Sequence, residues 1–252
     1  MPKNKNKKLK VAIISLTCCE GCEFALLDLG PRFFALTDKI DFHNFRLIKE
    51  GDQLGHFDLV FVEGGPTTDG QTKTLKEFRK NSDYLVALGN CAAMGGIQEI
   101  KNYRDKDVVI KSVYQDVKKI TNKNVLAIGQ VVKVDAVLPG CPIKAEDFLQ
   151  LINNFLADKK FKIVEKPVCY ECQINQFECL LQKNQPCFGP WTRSGCGAVC
   201  LKNGQPCWGC WDLLKNADKA HMKETLMKIL KNSANDKILR QAEVFGLRDE
   251  IE

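Results

Sequence analysis

No stretch of this chain is apolar for long enough to span a membrane. The first residues carry neither a Sec-type nor a twin-arginine leader, so a cytoplasmic location is expected. Nucleotide-binding glycine motifs are missing too. Gly64-Gly65-Pro66-Thr67-Thr68 lacks the Gly-Lys-Ser/Thr that would make it a P-loop, and no Gly-x-Gly-x-x-Gly follows the first apolar run. Histidine is scarce. His43, His56 and His221 are the only three, and they lie away from the cysteines, as surface or internally satisfied residues do. These absences leave a globular protein with 44% hydrophobic and 27% charged residues, long enough for one large domain or one domain plus a small appendage.

Cysteine, by contrast, is abundant. Eight of the thirteen cysteines fall between Cys169 and Cys210, opened by the pair Cys169/Cys172 and closed by Cys207/Cys210. Between them stand Cys179, Cys187, Cys196 and Cys200. Pro186, Gly195, Pro206 and Gly209 each precede a cysteine, and such residues let a short chain turn tightly around an inorganic body. Eight thiols make two sets of four, the ligand count of two 4Fe-4S clusters. Four-thiolate zinc sites also use Cys-x2-Cys pairs, so zinc remains open at this point. Disulfides are disfavoured by the expected reducing compartment, and structural thiols rarely crowd so densely.

The other cysteines follow strands. Lys10–Leu16 is a short buried run that ends in Cys18-Cys19-Glu20-Gly21-Cys22, and a helix is expected over Glu23–Leu29. Asp58–Glu63 is a second such run, followed by a helix over 70–81. Tyr84–Leu88 is a third and ends in Gly89-Asn90-Cys91. Val134–Leu138 is a fourth, ends in Pro139-Gly140-Cys141-Pro142, and is followed by a helix over 144–157. Strands alternating with helices imply a doubly wound parallel sheet, flavodoxin-like over residues 9–158, ahead of a small irregular cysteine-rich domain with C-terminal helices over 159–252. Ligands of such sheets sit beyond the carboxyl ends of the strands. Right-handed crossovers bring the loops holding Cys19/Cys22, Cys91 and Cys141 to one edge, where they make a third set of four. A thioredoxin-like reading of Cys19-Glu-Gly-Cys22 leaves Cys91 and Cys141 without a role.

The formal charge of +6 would ordinarily point to nucleic acid. Three clusters carrying about −2 each would bring it close to neutral, so no nucleic-acid partner is expected. Residues 1–9 read as a disordered tail, 158–168 as a link, and 212–231 and 235–247 as exposed amphipathic helices forming a packed cap.

Leu16-Thr-Cys-Cys-Glu-Gly-Cys22, Gly89-Asn-Cys91-Ala and Pro139-Gly-Cys141-Pro, with the segment after Cys169, resemble the small electron-transfer subunit of nickel–iron hydrogenases over roughly residues 8–212. The resemblance implies that Cys19, Cys22, Cys91 and Cys141 hold a proximal cluster facing the nickel–iron site of a large subunit. It implies a medial cluster on Cys196, Cys200, Cys207 and Cys210, and a distal one on Cys169, Cys172, Cys179 and Cys187. Periplasmic members carry histidine where Cys169 stands and proline at one medial position, where Cys200 stands here. Both departures keep a site and point to the cytoplasmic branch, closest to the small (delta) subunit of NAD(P)-linked, sulfhydrogenase-type enzymes. The implied function is electron relay through three 4Fe-4S clusters, with no bond chemistry in this chain. Implied partners are the hydrogenase large subunit and flavin/iron–sulfur NAD(P)-linked or ferredoxin-like subunits. Complex I has a related subunit that uses adjacent cysteines, which makes Cys18 a competitor of Cys19 and Cys22. That subunit lacks the second cysteine-rich segment. A complex I-like assembly, a free-standing electron carrier and a zinc-bound interaction module are the alternatives.

Overall fold

The structure is a computed structural model that describes residues 8–48, 55–115, 120, 124–229 and 235–251. The expected tail over residues 1–7 and the end of the expected helix at 230–231 lie outside the described residues. The chain forms two compact units, each with its own core. The first comprises Met1–Ala93 and Lys118–Phe161; the second comprises Met94–Val117 and Lys162–Glu252. Residues 94–117, which precede the last strand of the sheet, therefore group with the cysteine-rich segment.

The first unit is built on five parallel strands: β1 (Leu9–Ser15), β2 (Ile40–His43), β3 (Phe57–Glu63), β4 (Ser82–Leu88) and β5 (Ala136–Leu138). Their order across the sheet is β2-β1-β3-β4-β5, the flavodoxin-like order, with its switch point between β1 and β3. Register is fixed by pairings such as Ile13 with Phe61 and Phe61 with Val86. Alternation sorts the apolar residues onto two faces. Val11, Ile13, Leu59, Phe61, Val86 and Leu88 pack with Leu26 and Phe33 and with Phe148 and Ile152 of the helix Ala145–Leu156. Ala12, Ile14, Val60, Val62, Leu85 and Ala87 pack with Leu75 and Phe78 of the helix Asp69–Lys80. Helices on both faces explain why the strands are apolar on both sides. Each fully buried Phe, Leu or Ile contributes roughly 1.5–3 kcal/mol, and the Phe61 and Phe148 rings meet with centroids 4.9 Å apart.

Helix Asp69–Lys80 begins where Thr68 Oγ1 accepts the Gln71 N–H at 3.2 Å. Thr68→Ala is expected to destabilise the first unit by about 1 kcal/mol, read as a lowered urea midpoint at unchanged slope; an unmoved midpoint would show that this cap is redundant.

The second unit has little regular structure around its cysteines. Its core joins Val168, Cys172, Cys187, Phe188 and Cys207 to Met222, Leu226, Ile238, Ala242 and Leu247 of the C-terminal helices. Those helices, Lys219–Ile229, Asn235–Glu243 and Arg248–Ile251, form the packed cap, but they are less exposed than their composition suggests: Met222, Leu226, Ile238 and Ala242 are fully buried. Residues 212–218 are not helical. Arg193 N–H donates to the Asp212 carbonyl, Leu214 N–H donates to that of Trp191, and Arg193 pairs with the Asp212 carboxylate. These bonds tie the strand-like segment down until Asp218 caps the next helix through the His221 N–H.

Candidate functional site

The first set of thiols lies at the carboxyl ends of β1, β4 and β5. Cys22 starts the short helix Gly21–Leu27, Cys91 lies in the helix Gly89–Met94, and Cys141 follows β5. The loops touch through the backbone: Asn90 N–H donates to the Gly140 carbonyl at 2.8 Å. Gly89 holds φ +80°, and a Cβ on it would lie 2.4 Å from Cys22 Sγ. A Cβ on Gly21 would lie 3.2 Å from Cys19 Sγ. Both glycines leave room for sulfur where any side chain would crowd it.

Carboxylates stand behind these thiols. Glu63, at the end of β3, accepts the N–H groups of Cys22 at 3.2 Å and Glu23 at 3.0 Å. Ser15 donates its hydroxyl to Glu23 at 2.5 Å. Burial pushes the Cys22 thiol far up, and Glu63 and Cys91 add to the push. Cys141 is raised by burial and then by Cys19 and Glu63. Cys18 rises to about 12 through burial and the surrounding glutamates, Glu63 first. Cys22 thus neighbours Cys91, and Cys141 neighbours Cys19. Cys18 sits apart in one respect: its Sγ points back to the Leu16 carbonyl at 3.9 Å.

In the second unit, Cys169, Cys172, Cys179 and Cys187 come together. Burial, first, and then Cys187, Cys172 and Cys179 together raise Cys169 to about 11. Cys172 is raised by burial, then by Cys187 and Cys179. A Cβ on Gly189 would lie 3.3 Å from Cys169 Sγ and 3.5 Å from Cys187 Sγ, a third glycine that makes room for sulfur. The last four cysteines are brought together in pairs. Cys200 adds its charge to burial at Cys196, and Cys210 does so at Cys207. Cys187 stands near both pairs: it neighbours Cys200, and its Sγ accepts the Cys207 N–H at 3.3 Å.

All thirteen cysteines are free thiols. Burial holds nine of them, all in the loops described, above the ordinary thiol value. Thiols kept protonated this way are poor nucleophiles, which argues against disulfide exchange through Cys22. They become thiolates when metal charge offsets the burial. A zinc ion takes its thiolates at about 2.3 Å from one point; among the described residues no three His, Cys, Asp or Glu side chains converge that way.

Asn90 supplies an independent test of fit. Its side chain is 1% exposed, and neither its Nδ2 nor its Oδ1 has a partner among the described residues. A buried amide without partners costs a few kcal/mol. Placed between Gly89 and Cys91, it suits a bound group with acceptor sulfur. The histidines are otherwise engaged, His43 with Asp41, His56 with Asp83 and His221 with Asp218. Among the described residues no helix is long and apolar enough to cross a membrane. The sequence alone does not mark the carboxylates of Glu63 and of Glu171 in the second unit. The available signals are a glutamate closing an apolar strand and a glutamate held between two cysteines.

Residues 19–155 match the protein family described as NADH ubiquinone oxidoreductase, 20 Kd subunit. The chain belongs to this family. Within it, the chain groups with hydrogenase small subunits, which are components of oxidoreductases. It is 31% identical over 241 residues to the sulfhydrogenase 2 subunit delta of Pyrococcus furiosus, covering 94% of this chain and 99% of that one. It is 29% identical over 182 residues to the NAD-reducing hydrogenase HoxS subunit delta of Cupriavidus necator, covering 64% and 84% respectively. A crystal structure of an NAD+-reducing nickel–iron hydrogenase in the H2-reduced state matches with a TM-score of 0.58 at 25% identity, covering 62% of this chain and 96% of that one. The expected small-subunit family and the α/β fold are both borne out by these matches.

Proposed function

We propose that this chain is the electron-relay subunit of a cytoplasmic nickel–iron hydrogenase, linking a large-subunit nickel–iron site to a flavin/iron–sulfur partner by way of three 4Fe-4S clusters. The observation that carries the reading is the Asn90 amide beside Cys91, without a partner among the described residues, at the edge where three strand ends deliver Cys19, Cys22, Cys91 and Cys141. Each cluster, when bound, supplies a one-electron carrier. The protein does the rest. Cys19, Cys22, Cys91 and Cys141 would hold the first cluster. Cys169, Cys172, Cys179 and Cys187 would hold the second unit's outer one, and Cys196, Cys200, Cys207 and Cys210 its other one. Burial excludes water from Cys22, Cys172, Cys187 and Cys207, and Phe188, with 0% exposure, shields Cys187 and Cys207 in their shared core. Backbone N–H groups then tune each site: those of Gly189 and Cys207 toward Cys187, that of Ala198 toward Cys196, and that of Gly209 toward Cys207. Direct electron entry would occur near Cys22 and Cys91.

Mild anaerobic purification of the native complex tests this. At least about twelve iron atoms per copy of this chain, with nickel co-purifying, is the expected result. Iron without nickel would point to a carrier or a complex I-like assembly, and zinc without iron would end the electron-transfer reading.

A further inference from the structure

The helix Val168–Ile174 serves two sites at once. Cys169 and Cys172 join the set with Cys179 and Cys187. Glu171, between them, is turned to the loop of the other set. Its Oε1 accepts the Gly195 N–H at 3.0 Å, and its Oε2 accepts the Gly197 N–H at 3.0 Å. The same Oε2 lies 3.8 Å from Cys196 Sγ. Gly195 and Gly197 hold φ values of +130° and +72°, the left-handed side of backbone space that lets both N–H groups converge on one carboxylate. One side chain therefore clamps the loop on either side of Cys196, and it brings a full negative charge to that sulfur.

We propose that Glu171 is a positioning residue that pins the Cys196 loop to the helix of Cys169 and Cys172 and holds the centre of Cys196, Cys200, Cys207 and Cys210 at a lower reduction potential than its thiolates alone would set. The inference rests on the electron-relay reading above. Reduction adds one electron to an already negative centre, and a carboxylate a few ångströms away opposes that addition at a partly buried site that screens less than bulk water. The two N–H groups that Glu171 occupies are also withheld from the sulfurs, where they would ease reduction. Both effects act in the same direction. Glu171 thus sets the step between the second unit's two sites, and an oxidoreductase relay uses such steps to control how readily electrons dwell at each site.

The test is Glu171→Gln in the intact complex, followed by redox titration of the paramagnetic signals and by hydrogen exchange. Glutamine keeps the size, loses the charge, and can accept only one of the two N–H groups. One of the signals is expected to move to higher potential, by about tenfold in the reduction equilibrium, which is about 59 mV for one electron. The Gly195 and Gly197 amides are expected to exchange faster. Glu171→Asp, which keeps the charge but draws it back from the loop, is expected to move the same signal upward by less, and it carries the test if the glutamine variant does not assemble. Glu224→Gln removes an equal charge from the exposed face of the helix Lys219–Ile229 and is expected to move nothing. Fully iron-loaded Glu171 variants with unmoved potentials would overturn this inference alone. A wild-type complex without iron would overturn it together with the relay reading.

Discussion

Replacing Gly89 with alanine is expected to cost the complex about four iron atoms per copy of this chain and to lower hydrogen-dependent dye reduction at least a hundredfold, while the chain still folds. The backbone cost alone is modest. Alanine at φ +80° is strained by roughly 1–2 kcal/mol, less than a domain of this size can lose. The collision decides the result. The new Cβ would stand 2.4 Å from Cys22 Sγ and 3.3 Å from the Gly140 carbonyl oxygen. In a free thiol, Cys22 relieves the clash by rotating about χ1. A sulfur bonded to iron has no such freedom, because the rotation takes it out of bonding range. The substitution therefore selects against the loaded state and spares the apo fold. Iron per chain, measured on the purified complex, separates the cases. A loss of about four atoms relative to the wild-type complex, with intact signals from the cysteine-rich unit, is the expected outcome. Unchanged iron content and full activity would show that Cys22 holds nothing in this position.

Half of that prediction is legible in the amino-acid sequence. Cysteines at the ends of three apolar runs mark Cys19, Cys22, Cys91 and Cys141, because buried parallel strands announce themselves as short runs of Val, Ile and Leu and their carboxyl ends share one edge. The strand Ile40–His43 gives no such run. It is an edge strand of four residues that pairs only with β1 and includes Asp41 and His43, so its apolar content is too thin to register. The helix Lys106–Val113 is unreadable for a related reason: none of its residues is buried, so it has no apolar stripe to repeat. Neither Glu63 nor Glu171 can be picked out by residue type, since most glutamates are solvated. What distinguishes them is the set of backbone N–H groups their carboxylates accept, and that depends on loops folding back from 40 and 24–26 residues away in sequence.

The excursion over residues 94–117 hides one more group, and it makes the second large prediction. Glu99 is 6% exposed, in the 3₁₀ segment Ile97–Tyr103, and one of its carboxylate oxygens has no hydrogen-bond partner among the described residues. Burial, first, and the negative charges of Asp249 and Glu250 on the last helix together lift it to about 7, while the neighbouring Tyr103 hydroxyl works the other way. Glu243 nearby is already committed to Arg104 and Arg248, so neither arginine is left to pair with Glu99 alone. The carboxyl also fills a slot between two glycines: a Cβ on Gly95 would lie 2.9 Å from it and one on Gly246 2.7 Å. When these segments separate, Glu99 returns to its ordinary value of 4.5. The closed state therefore binds the extra proton, and its advantage is complete below about pH 4.5 and lost as pH rises through about 7. The full span corresponds to roughly 3 kcal/mol, and residual solvent beside the group reduces it to ~2 kcal/mol. Hydrogen exchange of the full chain reads it directly. After correction for intrinsic rates, protection in the segments Ile97–Tyr103 and Asn235–Glu243 is expected to fall about tenfold between pH 5 and 8, an interval that covers most but not all of the span. Glu99→Gln should hold that protection flat across the same interval and above the wild type at pH 8. A wild-type profile as flat as the variant's would mean that Glu99 keeps its charge in the folded chain, and that its orphan oxygen finds a proton donor when the clusters and partners are in place.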